Sequence, residues 1–218
     1  MTPPPARVGL GQVEVPAWLE PLRAAASGVR AEDLTRFTPP PGASRHSAVL
    51  VLFGEGADGP DLLIIERAHD MRSHAGQPAF PGGVVDAEDE DAVAAALREA
   101  QEETGLDASG VDVFAVLPAL YLPPSGFVVT PVLGWWRAPS PVRPGDPAEV
   151  ASVHRVPIAD FVDQRNRVRV QHPSGYVGPG FEVAGLLVWG FTAGLLDRLL
   201  VLGGLGDPVE SERVVTVT

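Results

Sequence analysis

Three observations predict that the chain adopts an α/β fold, with a central mixed β-sheet lying between helices. First, 45% of its 218 residues are hydrophobic, which is enough for one well-packed domain. Second, short aliphatic runs typical of strands occur together with two longer segments of helical character. Third, strands come before and after an acidic helix, and a second helix follows them. This order is typical of a sheet that helices cover on its faces.

The first two predicted strands are joined by a glycine-rich turn. They span residues 47–53 and 61–66, and their runs of Val, Leu and Ile are typical of strands. The turn from Gly54 to Gly59 has the G-x-G-x-x-G spacing of a dinucleotide-binding loop. That loop requires a helix directly after it, whereas a strand follows here. We therefore predict a hairpin turn.

The two predicted helices differ in character. Residues 91–104 are rich in Ala, Leu and Glu, and Gly105 follows at once, which is typical of a helix that ends at a glycine. Residues 181–202 are apolar on most faces and predict a long, largely buried helix. Further strands are predicted at residues 111–122, 127–136 and 149–156, with a hairpin arm at residues 165–170.

The first 40 residues are predicted to form an arm that packs on a single domain of residues 41–218. The arm is rich in proline and alanine, and one short helix is predicted in it at residues 16–26. It can dock on its own domain or on a second copy of the chain, so a homodimer stays open as a prediction.

Charge and composition exclude several classes of function. The formal net charge is −12, from 28 acidic and 16 basic residues, which argues against nucleic acid binding by bulk electrostatics. The chain has no cysteine, so it has neither disulfides nor thiolate metal sites. Its longest apolar segment, residues 183–196, is too short to cross a membrane, and its start lacks the apolar stretch of a secretory signal. We expect a cytoplasmic protein.

The predicted acidic helix places several carboxylates on one face. Glu99, Glu102 and Glu103 are three and four positions apart and therefore converge. Oxygen ligands of this kind suit Mg²⁺ or Mn²⁺. The alternative is a solvated acidic face, the usual explanation of a charge run. A glycine turn, Phe80 to Gly83, precedes the helix and can bring backbone carbonyls close to a metal. From the residues alone, both alternatives stay open.

The same segment resembles the Nudix box, G-x5-E-x7-R-E-U-x-E-E-x-G-U. The matching positions are Gly83, Glu90, Arg98, Glu99, Glu102, Glu103, Gly105 and Leu106. Six residues, not five, separate Gly83 from Glu90. The resemblance implies a Nudix α/β/α sandwich with a metal site made of Glu99, Glu102, Glu103 and the Gly82 carbonyl, in which Arg98 orients the carboxylates. Candidates for the general base are Glu99, Glu103, Asp146 and Glu149.

A second segment resembles the motif of Nudix coenzyme A pyrophosphatases, L-L-T-x-R-[SA]-x3-R-x3-G-x3-F-P-G-G. It comprises Leu63 to Ala68, Arg72, Gly76 and Phe80 to Gly83, with isoleucines at positions 64 and 65 as the departures. The resemblance implies hydrolysis of coenzyme A to 3′,5′-ADP and 4′-phosphopantetheine. Arg67, Arg72 and Gly83 are then the predicted substrate-binding residues, with the two arginines on the phosphates through forked hydrogen bonds.

Two alternatives to a coenzyme A diphosphatase stay open. One is a Nudix enzyme that acts on another nucleoside diphosphate compound, such as ADP-ribose or NADH. The other is a Nudix domain that binds a ligand without catalysis. A domain of the second kind is expected to have lost at least one of Glu99, Glu102 and Glu103, and all three are present.

Overall fold

The computed structural model describes residues 7–8, 13–70, 75–123 and 125–217. Its helices are α1 (Glu20–Ala26), α2 (Ala31–Leu34), α3 (Ala92–Thr104), α4 (Ile158–Val162) and α5 (Gly190–Leu202). Its strands are β1 (Arg7–Val8), β2 (Arg45–Gly56), β3 (Gly59–Arg67), β4 (Pro78–Ala79), β5 (Gly82–Val84), β6 (Val111–Val116), β7 (Leu120–Leu122), β8 (Phe127–Trp136), β9 (Val150–Pro157), β10 (Arg167–Gln171), β11 (Val177–Val183), β12 (Leu186–Val188) and β13 (Val214–Thr216).

Most of these strands belong to one mixed sheet. Within the described part of the chain, nine strands form it, with the order β1-β6-β8-β2-β3-β4 and with β5, β7 and β9 paired to β2, β8 and β3. Strand β2 is parallel to β8 and antiparallel to β3. The short β5 pairs with the start of β2. The predicted mixed sheet is therefore confirmed.

Helices cover both faces of this sheet. On one face α3 packs against β2 and β5, over a core that includes Ala48, Leu50, Leu52, Ala96 and Ala100. On the other face α5 and α1 lie over a larger core that includes Val51, Phe53, Ile64, Leu196 and Leu199. Alternation along β2 produces this division, because successive side chains of a strand point to opposite faces. The predicted sheet between helices is confirmed.

The N-terminal segment contributes to the larger core. Leu19 and Leu22 are fully buried there, and α1 contacts α5 and β6. The short helix predicted at residues 16–26 is present from Glu20 onwards. The division between an arm of residues 1–40 and a domain of residues 41–218 stays a prediction.

The long helix predicted at residues 181–202 is wrong in its first half. Strand β11 ends at Val183, β12 follows, and α5 begins only at Gly190. Ala184 and Gly185, with φ of 51° and 78°, make the turn between the two strands. Two short, partly buried strands in series give a largely apolar run, which periodicity alone does not distinguish from a helix. With β10 and β13, these strands form a second, four-stranded sheet that the sequence analysis did not predict.

The strand predicted at residues 111–122 is also wrong, because it is two strands. Strand β6 ends at Val116, and β7 begins at Leu120. Pro118 lies between them and has no N–H to donate to a sheet. The other predicted strands and the acidic helix are confirmed, with ends that differ by a few residues.

Among the described residues, no helix combines the length and the apolar character that crossing a membrane requires.

Candidate active site

Helix α3 carries the acidic cluster, and both of its ends are fixed locally. At the start, the Asp91 carboxylate accepts hydrogen bonds from the N–H groups of Val93 and Ala94, at 2.8 and 2.9 Å. This is N-capping of donors that have no partner inside the helix. At the end, Gly105 adopts a left-handed conformation with φ of 67°, which glycine adopts without steric cost. Between these ends, Glu99 and Glu103 face the Gly82–Gly83 backbone of β5.

Glu103 is the most deeply buried carboxylate of α3. Only 6% of the residue is exposed. Its Oε2 accepts a hydrogen bond from the Gly82 N–H at 2.8 Å, and its Oε1 lies 3.9 Å from Nη1 of Arg67. Burial raises the pKa of Glu103 to about 7, although the Gly82 hydrogen bond and the Arg67 charge act in the opposite direction. The nearby cationic charge is therefore too weak to offset the desolvation of this carboxylate.

Glu99 lies one turn earlier, against the glycine turn. A Cβ atom on Gly83 would be 2.3 Å from the Glu99 carboxyl carbon, so the carboxylate occupies the space that a side chain would take. Burial raises the pKa of Glu99, opposed first by its hydrogen bond from Arg98. Glu99 also raises the pKa of Glu103 through charge repulsion. The buried carboxylate of Glu103 and the partly buried carboxylate of Glu99 thus meet at Gly82 and Gly83.

Glu102 does not join this pair in the structure. Its side chain is 61% exposed and accepts a hydrogen bond from Nη1 of Arg98 at 3.2 Å. The same Arg98 nitrogen donates to Glu99 at 3.0 Å. The structure therefore brings together Glu99 and Glu103 of the predicted triad, while Glu102 lies outward on the Arg98 side.

Asp89 is a member of the cluster that the sequence analysis missed. The Arg98 guanidinium donates from Nε to Oδ1 and from Nη2 to Oδ2 of Asp89, at 3.0 and 2.9 Å. These hydrogen bonds lower the pKa of Asp89. Glu90, which the motif had placed here, is exposed. The sequence contained the signal, because five residues separate Gly83 from Asp89, which is the spacing of the motif's glycine and its first acid.

Arg67 lies at the end of β3, where the sheet is irregular. The β3–β9 pairing shifts register between Glu66 and Arg67, and such a bulge re-aims the side chains beside it. The Arg67 Nε is buried and has no hydrogen-bond partner among the described residues, although its Nη1 lies beside Glu103. Arg72, the second predicted phosphate-binding arginine, lies outside the described residues.

The loop of residues 137–149 runs from β8 to β9 along the C-terminal end of α3. Gly145 donates its N–H to the Glu103 carbonyl at 2.9 Å. The Asp146 carboxylate accepts from the Ala148 N–H at 2.8 Å and so closes a turn. Glu149 is exposed and raises the pKa of Glu103 by charge repulsion. Of the two predicted loop acids, Glu149 therefore acts on the buried carboxylate, whereas Asp146 stabilises the loop.

Comparison with known proteins assigns the family. The NUDIX domain model matches residues 44–175. The uncharacterized Nudix hydrolase NudL of Cronobacter sakazakii is 40% identical over 162 residues, which cover 71% of this chain and 81% of that protein. The chain belongs to the Nudix family. The NudL protein of Escherichia coli K12 is 39% identical over 168 residues, covering 74% of this chain and 84% of its own length.

Solved Nudix structures share the fold. The Nudix hydrolase RenU from M. smegmatis has a TM-score of 0.54 at 21% identity, with 84% of this chain and 98% of that chain covered. The Nudix hydrolase from Nitrosomonas europaea has a TM-score of 0.51 at 15% identity, with 84% and 82% covered. The predicted Nudix α/β/α fold is confirmed.

Family membership makes the chain a Nudix hydrolase of nucleoside diphosphate derivatives, a class of enzymes that generally uses divalent metal ions. The residues of the Nudix box fit such an ion by their chemistry. Glu99 and Glu103 present carboxylate oxygens, which hard cations prefer, and neither has its charge fully balanced by arginine, as their raised pKa values indicate. Among the described residues, no three acidic or histidine side chains already surround one point. Two carboxylates are therefore preformed, and further ligands have to come from their surroundings.

Proposed function

We propose that this Nudix hydrolase cleaves the diphosphate bond of coenzyme A, giving 3′,5′-ADP and 4′-phosphopantetheine. The observation that carries the proposal is the segment from Leu63 to Gly83, which resembles the coenzyme A pyrophosphatase motif. The fold joins both ends of that segment to Glu103: Arg67 lies beside its Oε1, and the Gly82 N–H donates to its Oε2. Residues of the segment resembling the coenzyme A pyrophosphatase motif thus contact both oxygens of Glu103, the most buried acid of α3.

The reaction requires little covalent chemistry from the protein. The oxygen of a water molecule attacks one phosphorus, and the bond from that phosphorus to the bridging oxygen breaks. The second phosphate leaves with the bridging oxygen, and the proton of the water passes to a base. Because the substrate is anionic, positioning and charge neutralisation supply most of the rate enhancement. A divalent cation, which we propose to be Mg²⁺ or Mn²⁺, supplies that neutralisation when bound.

In this proposal the carboxylates of α3 have distinct roles. Glu99 and Glu103 hold the cation together with the Gly82 carbonyl, and Glu102 joins them on leaving Arg98. Arg98 keeps Glu99 oriented through the hydrogen bond at 3.0 Å and is itself held by Asp89. Gly83 leaves room for the Glu99 carboxylate and for the close approach of the substrate.

We propose Glu149 as the general base, ahead of Glu99 and Glu103. Glu149 is exposed and close enough to affect the pKa of Glu103. In this proposal the other two are needed for the cation, and they are less exposed than Glu149. A base has to reach the attacking water, and an exposed loop acid beside the buried pair can do so. Asp146 is engaged in its turn through the Ala148 N–H.

Arg67 is proposed to bind the diphosphate itself. In this proposal the bond is cleaved beside Glu103, where the Arg67 guanidinium lies, and 26% of the Arg67 side chain is exposed. An anionic phosphate that reaches this guanidinium would gain a charge-assisted hydrogen bond. Arg72 then remains the candidate for the 3′-phosphate. The cytoplasmic location and the homodimer stay predictions.

The proposed function is tested by mass spectrometry of the products formed from coenzyme A in ¹⁸O-labelled water. We expect 3′,5′-ADP and 4′-phosphopantetheine, with one ¹⁸O in whichever product contains the attacked phosphorus. Parallel reactions with ADP-ribose and NADH measure the competing substrates. Faster cleavage of either of these than of coenzyme A would contradict the substrate assignment. An absence of any cleavage would favour a non-catalytic Nudix domain.

A further inference from the structure

The loop of residues 137–149 is bonded to the C-terminal carbonyls of the catalytic helix. Gly145 donates its N–H to the Glu103 carbonyl, and Arg143 donates its N–H to the Thr104 carbonyl, both at 2.9 Å. The last carbonyls of a helix have no partner within it, so the loop supplies donors that would otherwise come from water. One of these carbonyls belongs to Glu103, whose side chain is the buried acid of the site.

Gly145 approaches the helix more closely than any other residue type could. A Cβ atom on Gly145 would lie 1.8 Å from the Glu102 carbonyl oxygen and 3.0 Å from its carbonyl carbon. Real Cβ atoms essentially never come within 3.0 Å of such atoms. Because the atoms in the way are helix backbone, an added methyl group would have to separate the loop from the helix by about one ångström.

The chain after Gly145 has few ways to compensate for such a shift. Asp146 closes the next turn, since its carbonyl accepts from the N–H groups of Glu149 and Val150 at 2.9 Å. The Glu149 carbonyl in turn accepts from the Ala68 N–H at 2.9 Å. The span from Gly145 to Glu149 is therefore fixed at one end to the helix and at the other end to the residue that follows Arg67.

We propose that Gly145 is a positioning residue that sets the location of Glu149 relative to Glu103. Its missing side chain lets the loop dock on the helix end, and the short turn of residues 146–149 transmits that docking to the Glu149 carboxylate. This inference rests on the proposed function, in which Glu149 takes the proton of the attacking water. It adds a residue that touches neither substrate nor cation and that no motif indicates.

A double-mutant cycle tests the proposal through kcat. Gly145→Ala is expected to lower kcat by at least about tenfold and to change KM much less, because a shift of about one ångström in a catalytic group can cost roughly a hundredfold. Glu149→Gln is expected to lower kcat by at least as much. If Gly145 acts through Glu149, the double variant loses no more activity than Glu149→Gln alone. If instead the fold-loss of kcat in the double variant equals the product of the two single-variant losses, the proposal is overturned.

Gly28→Ala is the matched control, because a Cβ there would meet only the Ala25 carbonyl at an ordinary 3.8 Å. Its kcat should equal that of the unchanged protein. A kcat loss in Gly145→Ala that appears also in Gly28→Ala would show a general effect of loop substitution and would count against the proposal.

Hydrogen exchange supplies a second readout that does not depend on turnover or on the variant folding. In the unchanged protein the Gly145 amide should exchange at least about tenfold more slowly than an unstructured amide, because it is bonded to Glu103. Exchange at the unstructured rate would overturn the docking. An inactive wild-type protein would contradict the proposed function alone. In that case slow Gly145 exchange would still support the docking of the loop on the helix end.

Discussion

At the scale of single residues, the site depends on Glu103, a buried acid whose neighbours do not fully offset the cost of burying its negative charge. Glu103 has one backbone hydrogen bond and one distant arginine, and burial outweighs both. A carboxylate in this state binds either a proton or a cation. In the metal-free protein, burial destabilises the ionised form of Glu103 more than Gly82 and Arg67 stabilise it. A bound cation would supply the missing positive charge, which favours metal binding near neutral pH.

Glu103→Gln should stabilise the metal-free protein in a pH-dependent way. The pKa of Glu103 is about 7 in the folded protein, against 4.5 for an unperturbed glutamate. Protonated Glu103 thus stabilises the fold at low pH, and this contribution is lost as the pH rises from 4.5 through 7. Glutamine never ionises, so the variant should gain up to about 3 kcal/mol relative to the parent between pH 5 and 8.

Urea unfolding of both proteins in excess chelator measures this difference. Glu210→Gln, at an exposed position near the C-terminus, is the control and should show no such trend. A stability difference that stays constant from pH 5 to 8 would contradict the raised pKa. Saturating Mn²⁺ should reverse the order, because it stabilises the protein that binds it more tightly.

Arg67→Ala should lower kcat/KM for coenzyme A and for dephospho-coenzyme A by the same factor. Arg67 lies beside Glu103, where we propose that the diphosphate is cleaved, and both substrates contain that diphosphate. The loss of a hydrogen bond to a charged group, about 1.5–3 kcal/mol, corresponds to roughly ten- to more than a hundredfold in kcat/KM. Steady-state kinetics on both substrates provides the measurement.

Arg169→Ala, an exposed arginine on β10, serves as the control for removing one positive charge. Arg72→Ala should behave differently and lower kcat/KM mainly for coenzyme A, which alone has the 3′-phosphate. A loss in Arg67→Ala confined to coenzyme A would place Arg67 on the 3′-phosphate and contradict its assignment to the diphosphate.

At the scale of elements, local signals decided what could be predicted. Helix α3 was predicted from its composition and from Gly105, and the structure confirms both the helix and its glycine end. The apolar pattern predicts a helix where β11 and β12 lie, because only the Ala184–Gly185 turn separates these two short strands. The second sheet depends on contacts between residues far apart in sequence, such as the pairing of β10 with β13, and no local pattern encodes these.

The same distinction applies to the candidate site. The positions of Glu99 and Glu103 follow from helical spacing, so the sequence predicted their convergence. The outward position of Glu102 follows from its hydrogen bond to Arg98, and the docking of Gly145 follows from the path of a loop without regular structure. Neither can be derived from spacing.

Gly83→Ala tests how closely α3 packs on β5. The added Cβ would lie 2.3 Å from the Glu99 carboxyl carbon, which is the far end of a flexible side chain. The carboxylate should therefore move while the helix and sheet stay in place. We expect kcat to fall by roughly a hundredfold with little change in melting temperature.

Gly194→Ala is the control for this substitution, because a Cβ at Gly194 would meet nothing within 4 Å. It should leave kcat unchanged. Near-normal turnover in Gly83→Ala would show that the position of the Glu99 carboxylate does not matter. A large fall in melting temperature would instead show that Gly83 serves the packing of the sheet.

At the scale of the whole molecule, charge and architecture act in opposite directions on an anionic substrate. A net charge of −12 repels coenzyme A at long range, and salt screens this repulsion. The mixed sheet places Arg67, the glycine turn and the end of α3 together. In the proposed function, attraction of the substrate is therefore local and depends on a few arginines and a cation.

The central claim is that Glu99 and Glu103 of α3 hold a divalent cation that is required for diphosphate hydrolysis. The most direct measurement is the turnover of coenzyme A by the wild-type protein and Glu103→Gln, with excess chelator and then with added Mg²⁺ or Mn²⁺. We expect chelation to abolish turnover and either ion to restore it in the wild type. Turnover of the restored variant should stay roughly a hundredfold lower, the loss typical of one strong electrostatic stabiliser. Hydrolysis that persists in excess chelator, or near-normal turnover of Glu103→Gln, would contradict the claim.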